Sequence, residues 1–186
     1  MSMPDLPVVL VLASGRGTRF LASGGEGSKL QALLAGRPVL EWTVDAVRRS
    51  GLPMHVEQGA HAGMGDSIAA AVRTHATAPG WLILPGDLPL VAPQTLRLIA
   101  GQLASHALVA PVFQGRRGHP VGFSRLFGER LMALQGPQGA GALLAGVAPL
   151  HRVAVEDAGV VTDIDTVSDL QEAERAMRSK LRDPIE

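Results

Sequence analysis

Two stretches hold the residues best suited to chemistry. In LASGRGTRF, residues 12–20, an apolar run stops at Ser14-Gly15, and Arg16, Gly17 and Arg19 follow, with Lys29 further on in GSKL. Small residues at 13–15 let the backbone come close to a bound molecule, and the free N–H groups of a glycine loop form a nest for an anion. The second stretch is WLILPGD, residues 81–87. A carboxylate held at the end of a buried strand, here Asp87, can bind Mg²⁺ at a fixed position, and Mg²⁺ neutralises phosphate oxygens. A turn or helix cap is the other use of such an aspartate.

Three chemistries compete for the opening loop. A Walker loop needs G-x-x-x-x-G-K-[ST]. In GGEGSKL, residues 24–30, Ser28 precedes Lys29 and Leu30 follows it, so the order is wrong. A dinucleotide fingerprint, G-x-G-x-x-G, is met at Gly15 and Gly17 but broken by Phe20 at the third glycine. Its ribose acid is also lacking, because Glu41 falls inside a predicted helix. The third reading is a nucleotidyl-transfer loop. There Arg19 and Lys29 offset the charge of a triphosphate and the charge that builds when the α-phosphate is attacked. A solvated surface loop is the remaining alternative.

The totals narrow the field. The 186 residues suit one domain, residues 1–186, and 46% hydrophobic against 18% charged residues permit a core. Seventeen Lys and Arg balance seventeen Asp and Glu. That balance argues against bulk nucleic-acid or membrane-surface binding. Without cysteine there is no disulfide, thiolate metal site or Cys nucleophile. No run approaches the ~18 apolar residues of a membrane span. MSMPDLP lacks a basic flank and reads as the approach to a strand rather than a signal peptide, so a cytoplasmic location is expected. The histidines at 55, 61, 75, 106 and 151 lack metal-ligand spacing and are expected to be structural or solvated.

These residues need elements to position them. PVVLVLA (7–13), MHVEQ (54–58), WLILPGD (81–87), ALVAPVF (107–113), GHPVGFS (118–124) and HRVAVED (151–157) read as strands. Residues 14–28 read as loop. Helices are predicted from Pro38 to Gly51, over 63–76 with Asp66 or Ser67 near the N-cap, over 92–105, in short pieces over 125–146, and from Thr166 to Leu181. Thr166 and Asp169 have the spacing of a capping box. Strands alternating with helices predict a three-layer α/β/α fold with a mostly parallel sheet. In such folds, ligands sit outside the carboxyl ends of the strands, where both LASGRG and LPGD fall.

Taken in order, LASGRGTRF…SKL, GMGDSIAAAV, PGDLPLV, GRRGHPVGF and DIDTVSDL resemble the MobA-like NTP transferases, most closely the molybdenum cofactor cytidylyltransferase branch. The resemblance spans about residues 7 to 172. It implies a Rossmann-like, GT-A-like nucleotidyltransferase fold that uses Mg²⁺. Arg19, Lys29 and Asp87 would serve catalysis; Asp163 and Asp165 are the candidates for a second metal ligand beside Asp87, Asp163 the favoured one, and capping of the last helix is the other use of Asp165. Leu12, Ala13, Ser14, Gly15, Gly17, Gly65 and Ser67 would hold the nucleotide, the last two reading its base.

Arg116, Arg117 and His119 would face a phosphorylated acceptor, a molybdopterin. Two guanidinium forks suit its phosphate. The implied substrates are an NTP, CTP first, and that acceptor, with a molybdoenzyme or its chaperone as a possible protein partner. Pro137 and Gly141 stand where the branch carries an acid and an arginine. They motivate the alternative of a non-catalytic cofactor-binding or carrier protein in molybdoenzyme maturation.

Overall fold

The computed structural model describes residues 6–15, 17–145 and 149–182. Arg16, the MSMPD segment and Gly146 therefore lie outside the described residues. The elements are β1 (Val8–Leu12), α1 (Thr18–Ala22), β2 (Leu33–Leu34), β3 (Arg37–Pro38), α2 (Val39–Ser50), β4 (Met54–Glu57), α3 (Met64–Thr74) and β5 (Gly80–Pro85). There follow α4 (Pro93–Gln102), β6 (Leu108–Phe113), β7 (Arg116–Arg117), β8 (Val121–Ser124), α5 (Gly128–Met132), β9 (His151–Ala154) and α6 (Val167–Arg182). Short 3₁₀ turns lie at Arg125–Phe127, Ala140–Ala145 and Ala158–Val161.

The main sheet has the order β4-β1-β5-β8-β6-β7, with β9 also on β6. β4, β1 and β5 pair in parallel, as do β6 and β9. β8 runs antiparallel between β5 and β6, so the sheet is mixed but mostly parallel. The three-layer expectation holds. Successive side chains of a strand point to opposite faces. In β1, Val8, Leu10 and Leu12 join one core with Ile68, Ala71 and Val72 of α3 and Leu131 of α5. Val9 and Val11 join the other, with Ala46 and Val47 of α2 and Leu96 and Ile99 of α4. Trp81 and Ile83 of β5 face the first core, Leu82 and Leu84 the second. Burying each such aliphatic side chain contributes about 1.5–3 kcal/mol.

Several local expectations are corrected. The predicted loop 14–28 contains α1, a single turn entered through Gly17 at φ 61°. Leu33–Leu34 and Arg37–Pro38 form a small hairpin, so Pro38 ends a strand and immediately precedes α2 rather than opening it. The cap position of α3 is Gly63, and neither Asp66 nor Ser67 caps it. Strand 118–124 shortens to β8, because the backbone of Gly118 and His119 is committed elsewhere: Gly118 N–H donates to Pro111 O and His119 N–H to Val160 O, both at 2.9 Å.

Candidate active site

The parallel register puts three strand ends in a row. Leu12 is opposite both Glu57 and Pro85. Adjacent strands lie about 4.8 Å apart, so the loops leaving β1, β4 and β5 start side by side. They are tied together. Ala13 N–H donates to Glu57 O at 2.8 Å, Gly86 N–H to Leu12 O at 2.9 Å, and Thr43 Oγ1–H to Gly86 O at 2.9 Å. A Cβ on Gly86 would lie 2.9 Å from Leu12 O, so only glycine lets the β5 turn lie this close to β1.

A second segment closes on this rim. Ile164 N–H donates to Asp87 O at 2.9 Å, and the Ile164 side chain is fully buried. Asp163 and Asp165 flank that anchor and line the same cavity as Asp87. Lys29 Nζ donates to Asp87 Oδ2 at 2.6 Å and to Asp165 Oδ1 at 2.7 Å. Arg19, whose side chain is 77% exposed, reaches Asp165 Oδ2 from α1. The expectation that Asp165 caps α6 is therefore corrected. Thr166 and Asp169 do so instead: Thr166 N–H donates to Asp169 Oδ2 at 2.6 Å, and Asp169 N–H returns a bond to Thr166 Oγ1 at 3.2 Å.

The charges are unequal. Burial pulls the Lys29 pKa down, but the charges and hydrogen bonds of Asp87 and Asp165 outweigh it and leave it raised. Burial pushes the Asp87 carboxyl up; Lys29 opposes that, and Asp163 and Asp165 add to it, so it too stays raised. The surroundings thus favour the charged lysine, while burial disfavours the charged aspartate in spite of the ion pair. Burial is the main reason on the aspartate, and the neighbouring charges of Asp163 and Asp165 add to it. Asp87 Oδ1 is buried with no hydrogen-bond partner among the described residues. A buried carboxylate oxygen left this way is suited to receive a cation or a donor.

The cleft on the β1–β4–β5 rim has a volume of about 550 Å³. Leu12, Ser14, Gly15, Arg19, Lys29, Ser67 and Asp87 all line it. Gly15, Arg19, Lys29 and Asp87 thus share one cleft. Ser14 Oγ and Ser67 Oγ share a hydrogen bond at 2.5 Å. Ala13 sits half-buried behind the wall, and Gly17 packs its Cα over Lys29, 3.6 Å being the reach from a Cβ to that side chain. Gly65 faces elsewhere. Its N–H donates to Gly136 O at 2.9 Å, and a Cβ there would lie 2.8 Å from Gln135 O. What Gly65 does in the structure is seat the 135–138 loop. Gly63 does the same more severely, with Gly136 O only 2.1 Å from its would-be Cβ. Asp66 holds that loop from below, accepting from Gly136 N–H at 2.9 Å. Pro137 thereby joins the cleft wall.

A second cavity of about 380 Å³ shares Arg19, Lys29, Met64, Pro85 and Asp87 with the first. Arg116, Arg117, His119 and Asp163 line its far side. The two arginines are exposed on a hairpin whose turn residues, Gln114 and Gly115, both have positive φ, at 46° and 79°. Burial, reinforced by the Arg117 charge and opposed by Asp163, drives the His119 pKa down to about 4. Its imidazole is neutral at pH 7. Every expected charged residue thus lies on one of two adjoining cavities, with Lys29 and Asp87 at their junction. Asp165, the less favoured of the two candidates for a second metal ligand, is the one that bonds to Lys29. One contributor, His61, reads in the sequence as structural or solvated. His61 lines the first cleft, and only strand register brings it there.

The model of the MobA-like NTP transferase domain matches residues 43–154, more than half of the chain. Bifunctional protein GlmU of Geobacter metallireducens is 30% identical over 148 residues, 67% of this chain. The chain spans only 30% of that protein's length. Rv0371c of Mycobacterium tuberculosis superposes with a TM-score of 0.78 at 26% identity, over 93% of this chain and 99% of that one. It has also been solved as a complex with manganese. Molybdopterin-guanine dinucleotide biosynthesis protein A of Archaeoglobus fulgidus superposes at 0.67 and 19% identity, covering 92% and 99%, which shows a shared fold.

Proposed function

The chain belongs to the MobA-like NTP transferase family, and from that premise we propose that it transfers a nucleoside monophosphate from an NTP to a phosphorylated acceptor. CTP is the nucleotide proposed and a molybdopterin the acceptor. The observation that carries this reading is the junction of the two cavities at Lys29 and Asp87. A phosphate chain in the first cavity and an acceptor phosphate in the second would meet there. An acceptor oxygen attacks the α-phosphorus, the bond from that phosphorus to the bridging oxygen breaks, and pyrophosphate leaves with the bond's electron pair.

A phosphate monoester oxygen is already a nucleophile, so no base is required. Positioning and charge neutralisation are what the protein contributes. Lys29 and Arg19 would turn from Asp165 toward the phosphates as these enter. Arg116 and Arg117 suit the acceptor's terminal phosphate by their planar forks. Neutral His119 has a ring nitrogen for a neutral partner rather than a charge.

The residues fit a divalent cation. Asp87 Oδ1 is unpartnered and Asp163 lies on the same cavity. Among the described residues no group of three or more His, Asp or Glu is arranged as a complete site. That suits Mg²⁺, which binds through one or two carboxylates plus substrate phosphates. Bound there, it would supply charge neutralisation to phosphate oxygens. That Rv0371c has been solved as a complex with manganese supports a divalent ion for this chain as well.

The test is pyrophosphate release from CTP, GTP and ATP, each with Mg²⁺ and purified molybdopterin, with Asp87→Ala as control. Release from CTP that the variant abolishes supports the reading. Nucleotide binding with no release from any of the three would favour the carrier alternative.

A further inference from the structure

Glu57 ends β4 behind His61, which lines the first cleft, and contacts two histidines. Its Oε1 accepts the Gly59 N–H at 2.8 Å and lies 3.0 Å from His61 Nε2; its Oε2 lies 3.3 Å from His55 Nε2. Burial pushes the Glu57 carboxyl up, but the hydrogen bonds from His61, Gly59 and His55 outweigh it and hold it below the ordinary carboxylate range. An ionised carboxylate only accepts, so the ring nitrogen turned to it carries the hydrogen. With Nε2–H committed to Glu57, a neutral His61 ring keeps its lone pair on Nδ1. None of the described residues bonds to that Nδ1.

The ring's position is informative. His61, Ala62, Gly63, Ser67 and Pro137 line the first cavity and are absent from the second, whereas the charged residues of the first cavity, Arg19, Lys29 and Asp87, line both. The His61 wall is therefore the one away from the acceptor side, and it carries no Lys or Arg. An uncharged nucleobase belongs there. We propose that His61, oriented by Glu57, reads the base: its Nδ1 accepts a hydrogen bond from an exocyclic amino group, which selects CTP over UTP. This rests on the nucleotide reading of the cleft. Uracil presents a carbonyl oxygen where cytosine presents an amino group, so two lone pairs would face each other and no bond would form. Glu57 is the positioning residue, since it decides which ring nitrogen keeps the hydrogen.

Calorimetric titration of the full chain with CTP and with UTP, each with Mg²⁺, tests this without needing the acceptor. The native chain should bind CTP tenfold or more tighter than UTP. His61→Ala should bring the two within about twofold, mainly by weakening CTP. Glu57→Gln should fall between, because an amide can offer either its oxygen or its N–H to Nε2 and so frees the tautomer. If the alanine variant melts early, His61→Gln, which keeps an acceptor, should retain part of the preference. Equal affinity of the native chain for both nucleotides, or an unchanged preference in a folded His61 variant, overturns the proposal alone. Binding of no nucleotide at all overturns it together with the reading of the cleft.

Discussion

Lys29 Nζ and Asp87 Oδ2, separated by 58 residues in the chain, lie 2.6 Å apart at the junction of two cavities. The lysine comes from the turn after α1 and the aspartate from the end of β5. Each side chain is mostly covered, at 11% and 15% exposure. A pair so placed can serve both ligands and stays poorly screened by solvent. Lys29→Met should lower kcat/KM for nucleotidyl transfer by about 10²–10³, the usual effect of removing one well-placed charge donor. It should also lower stability by about 1–3 kcal/mol, because Asp87 and Asp165 lose their shared counter-charge. Steady-state kinetics and thermal melts of the variant check both. A change under threefold in kcat/KM would remove Lys29 from the machinery.

Arg116 and Arg117 sit only on the second cavity. Replacing both by alanine should raise the KM for acceptor about tenfold or more while leaving the KM for NTP within twofold. Because both side chains are exposed, the melting temperature should stay put. An equal rise in both KM values would show that the two cavities are not divided between the substrates.

Gly63 is fixed by contact, not by backbone conformation. Its φ of −158° is open to any residue, but a Cβ would collide with the Gly136 carbonyl. Gly63→Ala should push the 135–138 loop away from the cleft. Expected effects are a loss of about 1–3 kcal/mol and a several-fold weaker NTP affinity. Chemical denaturation and calorimetric titration measure them. Gly24→Ala makes the contrast: its φ of 93° strains a side chain, but open space surrounds it. It should cost stability without touching affinity.

His119 predicts an acid-side slope. In the unfolded chain its imidazole takes a proton near 6.5; in the folded chain burial delays this to about 4. Between those values the unfolded state binds the extra proton, so stability falls as pH drops through that window. His119→Gln should flatten the fall by about 1–2 kcal/mol. Melting temperatures measured from pH 7 down to 4.5 decide it, and parallel curves for the two proteins would refute it.

Much of this arrangement was legible beforehand. PVVLVLA (7–13) and WLILPGD (81–87) read as buried strands from their apolar runs; the strands formed are Val8–Leu12 and Gly80–Pro85, and alternate residues feed opposite cores. Thr166 and Asp169 have capping spacing and cap α6. Short elements were not legible. α1 spans five residues with no side-chain cap, and β2 and β3 two each, too few to show a period. Strand direction was not legible either: nothing local in VGFS makes β8 antiparallel.

The sequence by itself determined the layers, the strand ends that carry the loop and Asp87, and the residue types that suit a phosphate chain. Those follow from hydrophobic period and local backbone chemistry, which act over a few residues. Tertiary structure alone decided the rest. The Ile164–Asp87 tie, a bond across 77 residues, brings Asp165 to Lys29. The register of β4 on β1 sets Glu57 beside Leu12 and so carries His61 into the cleft. Close approach of Gly136 makes Gly63 and Gly65 packing glycines. Such contacts join segments distant in the chain, and their partners are chosen by sheet register and close packing, which no local window of residues contains.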